Sequence, residues 1–233
     1  MHVPDGVLPF WMYVLFLVIS IPILGYAVQR VNKRFNERLT PYMGVLAAVI
    51  FAAQLVNFPV PPASGHLVGT TLLAVMLGPW AAMVIMALVL FVQALYADGG
   101  LLAFGLNFFN MGILGAVLGW SISLLLFKGL KRIRNEKTAV LIATPIAAFA
   151  VIIASAFVLG MELLTIPGLS FDFVIIITGI HGIIAVGEAI LTFVILLYFV
   201  RAKPSLVSFL KDSDTGKALK RETKTVLVEE ATT

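Results

Sequence analysis

The chain has 233 residues, 61% of them hydrophobic and 12% charged, with a formal net charge of +4. A soluble domain is nearer half apolar and a quarter charged, so an ordinary soluble fold is excluded. With no cysteine in the sequence, disulfides, thiolate metal sites and thiol catalysis are excluded too.

All sixteen Lys and Arg fall in three stretches: four in 29–38, five in 128–137 and seven in 201–233. Long uncharged runs separate them. This is the pattern of an all-α polytopic membrane bundle whose cytoplasmic loops carry the positive charge. No basic face is left to follow phosphates, so nucleic acid is not an expected partner; the lipid bilayer is.

The first apolar run, 8–28, is 21 residues long and can cross the hydrocarbon layer. It leads into the basic stretch 29–38, which places the amino terminus outside. Its leading residues carry no Lys or Arg and its apolar stretch exceeds that of a signal peptide, so the helix is expected to be retained. Met1 is expected to be retained with it, because His2 is too large a second residue for removal of the initiator. A second helix over 40–58 returns the chain to the outside, where PVPPASG (59–65) makes a loop.

The next uncharged run, 66–97, is 32 residues long. Read as one helix, it would leave the cations of 128–137 outside. A break at the helix-stopping pair Gly78-Pro79 gives helices over 66–78 and 80–97 and returns those cations to the cytoplasm. Residues 66–77 then span only about 18 Å, too short to cross. His66 is therefore expected below the outer surface, on a loop that dips inward. After ADGG (97–100), helices over 101–127, 138–160 and 174–200 follow. The expectation is seven transmembrane helices in a membrane domain, residues 1–200, with the amino terminus outside and a polar cytoplasmic tail, 201–233.

The start of the chain, MHVPDG, carries chemistry. An intact Met1-His2 offers three nitrogens in sequence: the terminal amine, the His2 amide and the His2 Nδ1. Together they close a five- and a six-membered chelate ring, which favours a plane. Planar nitrogen ligation suits Ni(II) or Cu(II) rather than tetrahedral zinc. Of the three histidines in the chain, His66 in ASGHLVG is best placed to supply a fourth nitrogen, with Ser64 able to orient an imidazole. His181 lies 20 residues before Arg201, about 30 Å up its helix, and so near the same outer face. That face carries Asp5, Asp98, Glu162 and Asp172 and no Lys or Arg, which draws cations toward it.

Each histidine read singly also suits a plainer role: His2 an accident of the start, His66 a loop residue bonding a carbonyl, His181 a packing residue between Gly179 and Gly182. Glu188, two turns below His181, is expected to tie helices together by hydrogen bonds. Asn57 and Asn107 are near the outer end and able to line a site. Gln93 and Asn110 are expected to tie helices as Glu188 does. Gly44, Ala48 and Ala52 recur every four residues and give the second helix a smooth face, for packing in the bundle or for docking a separate membrane subunit.

Four separated blocks carry a resemblance: MHVPDG, VNFPVPPASGHLVGTTLLAVMLGPWAA (56–82), QALYADGGLLAFGLNFFNMG (93–112) and HGIIAVGEA (181–189). They resemble the CbiM/NikM family, the substrate-capturing S components of energy-coupling-factor (ECF) transporters for cobalt and nickel. The resemblance spans residues 1 to about 200. It implies that the amino terminus threads back into the bundle, that Met1 and His2 bind the metal with His66, and that the PDG at 4–6 makes the turn after the ligand segment. It also implies one extra first helix before a six-helix core, in a cell membrane of a bacterium or archaeon.

The small-residue face of the second helix would dock on the transmembrane coupling subunit (EcfT type), powered by a pair of cytoplasmic ATPases (EcfA type). A small accessory membrane subunit is a further expected partner. No GxxxxGK(S/T) motif occurs in this chain, so ATP hydrolysis falls to partners. The expected function is capture of Ni(II) or Co(II) from outside as transported substrate, with no organic cofactor and no enzymatic activity. Four nitrogens in a plane favour nickel.

Two other classes compete. An intramembrane serine protease would pair Ser64 with His181, in faint likeness to the rhomboid dyad, but Pro62 stands where that family places glycine. A stand-alone metal/proton exchanger would use Glu188 as carrier, yet lacks the several buried carboxylates such exchange needs.

Overall fold

A computed structural model describes residues 1–33 and 39–211. The basic residues of 34–38 and the tail beyond 211 lie outside the described residues. The elements run α1 (Phe10–Asn32), α2 (Leu39–Gln54), β1 (Asn57–Val60), β2 (Ala63–His66), α3 (Thr70–Leu77), α4 (Pro79–Leu95), α5 (Phe104–Phe108), a π-helical turn (Phe109–Leu114), α6 (Gly115–Leu130), α7 (Glu136–Leu163), α8 (Phe171–Ala202) and α9 (Ser208–Lys211).

The molecule is a helical membrane bundle. Among the described residues four helices are long and apolar enough to cross a bilayer: Phe10–Asn32, Phe104–Leu130, Glu136–Leu163 and Phe171–Ala202; two apolar helices, Thr40–Gln54 and Pro79–Leu95, are shorter. Large apolar side chains such as Val18, Leu125, Ile183 and Tyr198 face outward, as lipid-facing positions do.

Two of the sequence expectations shift here. The helix expected over 40–58 ends at Gln54, and the one expected over 66–78 begins only at Thr70. Between them the chain forms an antiparallel hairpin with Asn57 opposite His66 and Val60 opposite Ala63. One reason is local. Gly69 sits at φ +74°, a left-handed conformation that a helix cannot continue through. The break between α3 and α4 falls at Gly78, at φ +92°, with Pro79 opening α4.

The short α3 is the axis of the bundle: residues Thr70–Met76 are all buried. It lies close to α6, where a Cβ on Gly119 would stand 2.5 Å from Thr71 Oγ1 and one on Gly115 3.1 Å from Thr70 Cβ. The π-helical turn leaves carbonyls outside the regular ladder, and neighbouring hydroxyls take them. Thr70 Oγ1 donates to the Met111 carbonyl at 2.7 Å, and Ser155 Oγ to the Asn110 carbonyl at 3.2 Å. Beside these, α1 approaches α5 so closely that a Cβ on Gly105 would meet Leu17 main chain at 2.7 Å.

On α2, Leu46, Ile50 and Gln54 are buried, while Gly44, Ala48 and Ala52 are exposed. Ile50 packs on Gly69, and Gln54 Nε2 donates to the Val68 carbonyl at 2.8 Å. The inner face of α2 thus braces the loop after His66, and its small-residue face is left bare.

Candidate metal centre

Met1, His2 and Val3 run into the bundle, and the main chain of His2, Val3 and Pro4 and the side chain of Asp5 hold the chain start there. Met1, His2 and Val3 are 1%, 2% and 0% exposed. The His2 N–H donates to Ser64 Oγ at 3.2 Å and the His2 carbonyl accepts from Ser64 N–H at 3.0 Å. Asn107 makes a reciprocal pair with Val3, accepting its N–H at 2.8 Å and donating to its carbonyl at 3.1 Å. Tyr13 donates its hydroxyl to the Pro4 carbonyl, and Asp5 Oδ1 accepts the Ala103 N–H at 2.9 Å. At Gly6, φ +81° turns the chain toward α1.

This threading brings the His2 ring onto that of His66, with centroids 4.5 Å apart and planes 27° from parallel. His66 is fully buried at the end of β2. Its Nδ1 lies 2.7 Å from the Leu67 carbonyl, to which it donates, so Nε2 keeps its lone pair. That Nε2 is buried with no hydrogen-bond partner, as are both ring nitrogens of His2. His2 Nδ1 stands 3.3 Å from Asp98 Oδ1, near but not aligned for a hydrogen bond.

Burial holds the Met1 amine well below its ordinary value, with the Asp98 charge opposing weakly. It lowers His2, against the pull of Asp98, and lowers His66 further, assisted by the positive charge of the amine. The His2 ring in turn holds the Asp98 carboxyl below the usual carboxylate range. Every nitrogen at the centre is therefore biased toward the neutral, lone-pair form that a cation requires.

The other expected residues separate into groups. Ser64 does not orient an imidazole, as the sequence suggests; its hydroxyl accepts from the His2 main chain, because the chain start pairs alongside β2. Asn57 Nδ2 donates to Asp98 Oδ1 at 3.2 Å. Asp5 anchors the turn and Asn107 anchors Val3. His181 is fully buried and donates from Nδ1 to the Ile177 carbonyl at 2.8 Å, one turn back on its own helix. It lies under the hairpin, where a Cβ on Gly65 would stand 3.5 Å from its Nε2. Ser64 Oγ accepts the His2 N–H instead of bonding His181, whose Nε2 is buried without a partner; the relatives are metal transport proteins, so the protease pairing is left without support. Glu188, 1% exposed, accepts the N–H groups of Val68 and Gly69 at 2.8 and 2.7 Å. It clamps the chain two and three residues after His66.

The turn 97–100 is the part that sequence reasoning undervalued. A Cβ on Gly99 would stand 3.0 Å from the His2 ring, and one on Gly100 would overlap the Asp5 carboxylate. ADGG is thus a cradle for the chain start, and its two glycines were the readable signal. Gln93, buried with an unpartnered amide, faces the same imidazole.

Among the described residues no three His, Asp or Glu side chains converge as a cage for an ion. A metal at this centre has to draw on main-chain nitrogen. The residues fit that demand: a buried amine, an amide held by one hydroxyl, and two stacked imidazoles.

The family model described as "Cobalt uptake substrate-specific transmembrane region" (CbiM) matches residues 2–206. Similar relatives include a putative fused nickel transport protein, NikMN, of Archaeoglobus fulgidus, 34% identical over 89% of this chain and 68% of that protein. A putative cobalt transport protein, CbiM 2, of Methanosarcina barkeri is 30% identical over 91% of this chain and 94% of its own length. A crystal structure of a transition metal transporter superposes with a TM-score of 0.75 at 31% identity, covering 86% of this chain and 93% of that one. The chain belongs to the CbiM/NikM family, whose members are metal transport proteins rather than enzymes.

Proposed function

We propose that the chain captures Ni(II), in preference to Co(II), as the substrate-specificity subunit of an ECF-type uptake transporter in a bacterial or archaeal cell membrane. The ion is held by the Met1 amine, the His2 amide nitrogen, His2 Nδ1 and His66 Nε2. One observation carries the reading: a buried terminal amine beside two stacked, buried imidazoles whose free nitrogens have no partner. Left unligated, such groups cost free energy; a bound cation satisfies them together.

Binding removes the His2 amide proton at the point where Ser64 Oγ accepts it, and exchanges Asp98 for the ion at Nδ1. Four nitrogens in a plane support nickel on ligand-field grounds. The relatives' names include both nickel and cobalt, so Co(II) is the second substrate to test.

Seven crossings, with the chain start outside and the tail inside, suit the positive stretches and the short α3. The bare Gly44, Ala48 and Ala52 face suits a transmembrane coupling subunit served by two cytoplasmic ATPases, with a small accessory membrane subunit beside them. A variant with one residue added before Met1 tests the site. It should lose Ni(II) affinity by about a hundredfold, because the Met1 nitrogen becomes an amide and the buried chain start, 1% exposed at Met1, has no room for a further residue. Unchanged affinity refutes the proposed ligand set.

A further inference from the structure

The four proposed nitrogen donors are buried, so an ion arriving from outside has no direct path to them. One charged side chain bridges solvent and site. Asp98 is 30% exposed on one side and stands 3.3 Å from His2 Nδ1 on the other. Its orientation is fixed: Asn57 Nδ2, from the facing strand, donates to its Oδ1 at 3.2 Å. The backbone is shaped around it as well. Ala97 adopts φ +61°, a left-handed conformation that a residue with a Cβ rarely takes, and Gly99 follows at φ +89°. Two positive φ values flank the carboxylate and turn it inward, toward the ring.

We propose that Asp98 is the capture ligand: its carboxylate takes the hydrated divalent cation first and delivers it to His2 Nδ1. The inference rests on the proposed nitrogen site and adds the step that precedes it. An oxygen ligand that keeps part of the ion's water bound suits a transient stop, because nitrogen donors then displace it. The charge also steers. On an outer face without described Lys or Arg, the partly exposed Asp98 carboxylate beside the buried nitrogen donors concentrates cations at that point. Asn57, which holds the carboxylate, is a positioning residue for the same step.

The test is stopped-flow mixing of Ni(II) with the full chain in detergent, read by absorption, for wild type, Asp98→Asn, Asp98→Glu and Asn57→Ala at low and high ionic strength. Asp98→Asn should lower the association rate by about tenfold or more and flatten its salt dependence, within the range such fields confer. Its final spectrum should match wild type, and its dissociation rate should not rise. Asp98→Glu should recover most of the rate, and Asn57→Ala should lie between. If Asp98→Asn misfolds, the other two variants still decide: equal association rates for Asn57→Ala and wild type, together with no salt dependence in Asp98→Glu, overturn the inference. An unchanged association rate in Asp98→Asn overturns it, as does a loss confined to dissociation with an altered spectrum. Failure of the wild-type chain to bind Ni(II) at all strikes the nitrogen site itself, a separate outcome that removes this step with it.

Discussion

Replacing Glu188 with alanine should both destabilise the bundle and weaken metal binding, although no atom of Glu188 is a proposed ligand. Its two oxygens take the N–H groups of Val68 and Gly69 at 2.8 and 2.7 Å, in a place only 1% exposed. An orphaned buried donor costs about 1–3 kcal/mol. Two of them give about 2–6 kcal/mol, before any cavity left by the side chain. Glu188→Gln keeps one acceptor and opposes an NH2 to the other N–H, so it should cost about half as much. Because Val68 and Gly69 set the path of the chain leaving His66, slack there moves His66 Nε2 away from His2. Loss of such a supporting group typically weakens a metal site by about 10- to 100-fold. Thermal unfolding in detergent and Ni(II) titration measure the two effects. Alanine and glutamine variants both within about 1 kcal/mol of wild type, with unchanged affinity, refute the clamp.

Other outcomes follow from the same geometry. Asn107→Ala removes both partners of Val3 and should weaken Ni(II) binding by about tenfold or more, read by the same titration. The contribution of the amine and the two imidazoles to the stability of the metal-free chain should fall as pH drops. The unfolded chain takes up protons below about 8 at the amine and below about 6.5 at His2 and His66, while burial keeps the folded groups unprotonated to lower pH. That contribution is therefore fully present above pH 8 and declines through the acid range; the difference between denaturant melts of wild type and of a His66→Ala variant at a series of pH values checks the sign. Ala48→Leu puts bulk on the bare face of α2; under the proposed docking on a coupling subunit it should abolish ATP-driven uptake while leaving Ni(II) affinity within about twofold of wild type.

Much of the site is readable in the chain because it is local chemistry. Met1 and His2 are adjacent, and the Gly78-Pro79 break announces itself. What escaped depends on contacts far apart in sequence. Asp98 reaches His2 only after the bundle closes, so composition registers it merely as one external charge. The Ser64 hydroxyl suggests an imidazole partner, but the pairing of the chain start with β2, across 62 residues, gives it the His2 N–H instead. The hairpin over 57–66 hid inside an apolar run, and only its prolines hinted that no helix continues there. The α3 helix starts late because Gly69 turns left-handed and Glu188, 119 residues away, takes its N–H. The π-helical turn at Phe109–Leu114 has no signature in its residues; hydroxyls from α3 and α7 make it tolerable.

The central claim is that the start of the chain itself chelates the transported ion. A titration of the intact protein with Ni(II) near pH 7, followed by absorption and by proton release, tests it most directly. The account predicts one ion per chain, a square-planar d–d band, and release of about one proton, from the His2 amide, since burial biases the amine and imidazoles toward their neutral forms. An octahedral spectrum with no proton released contradicts it.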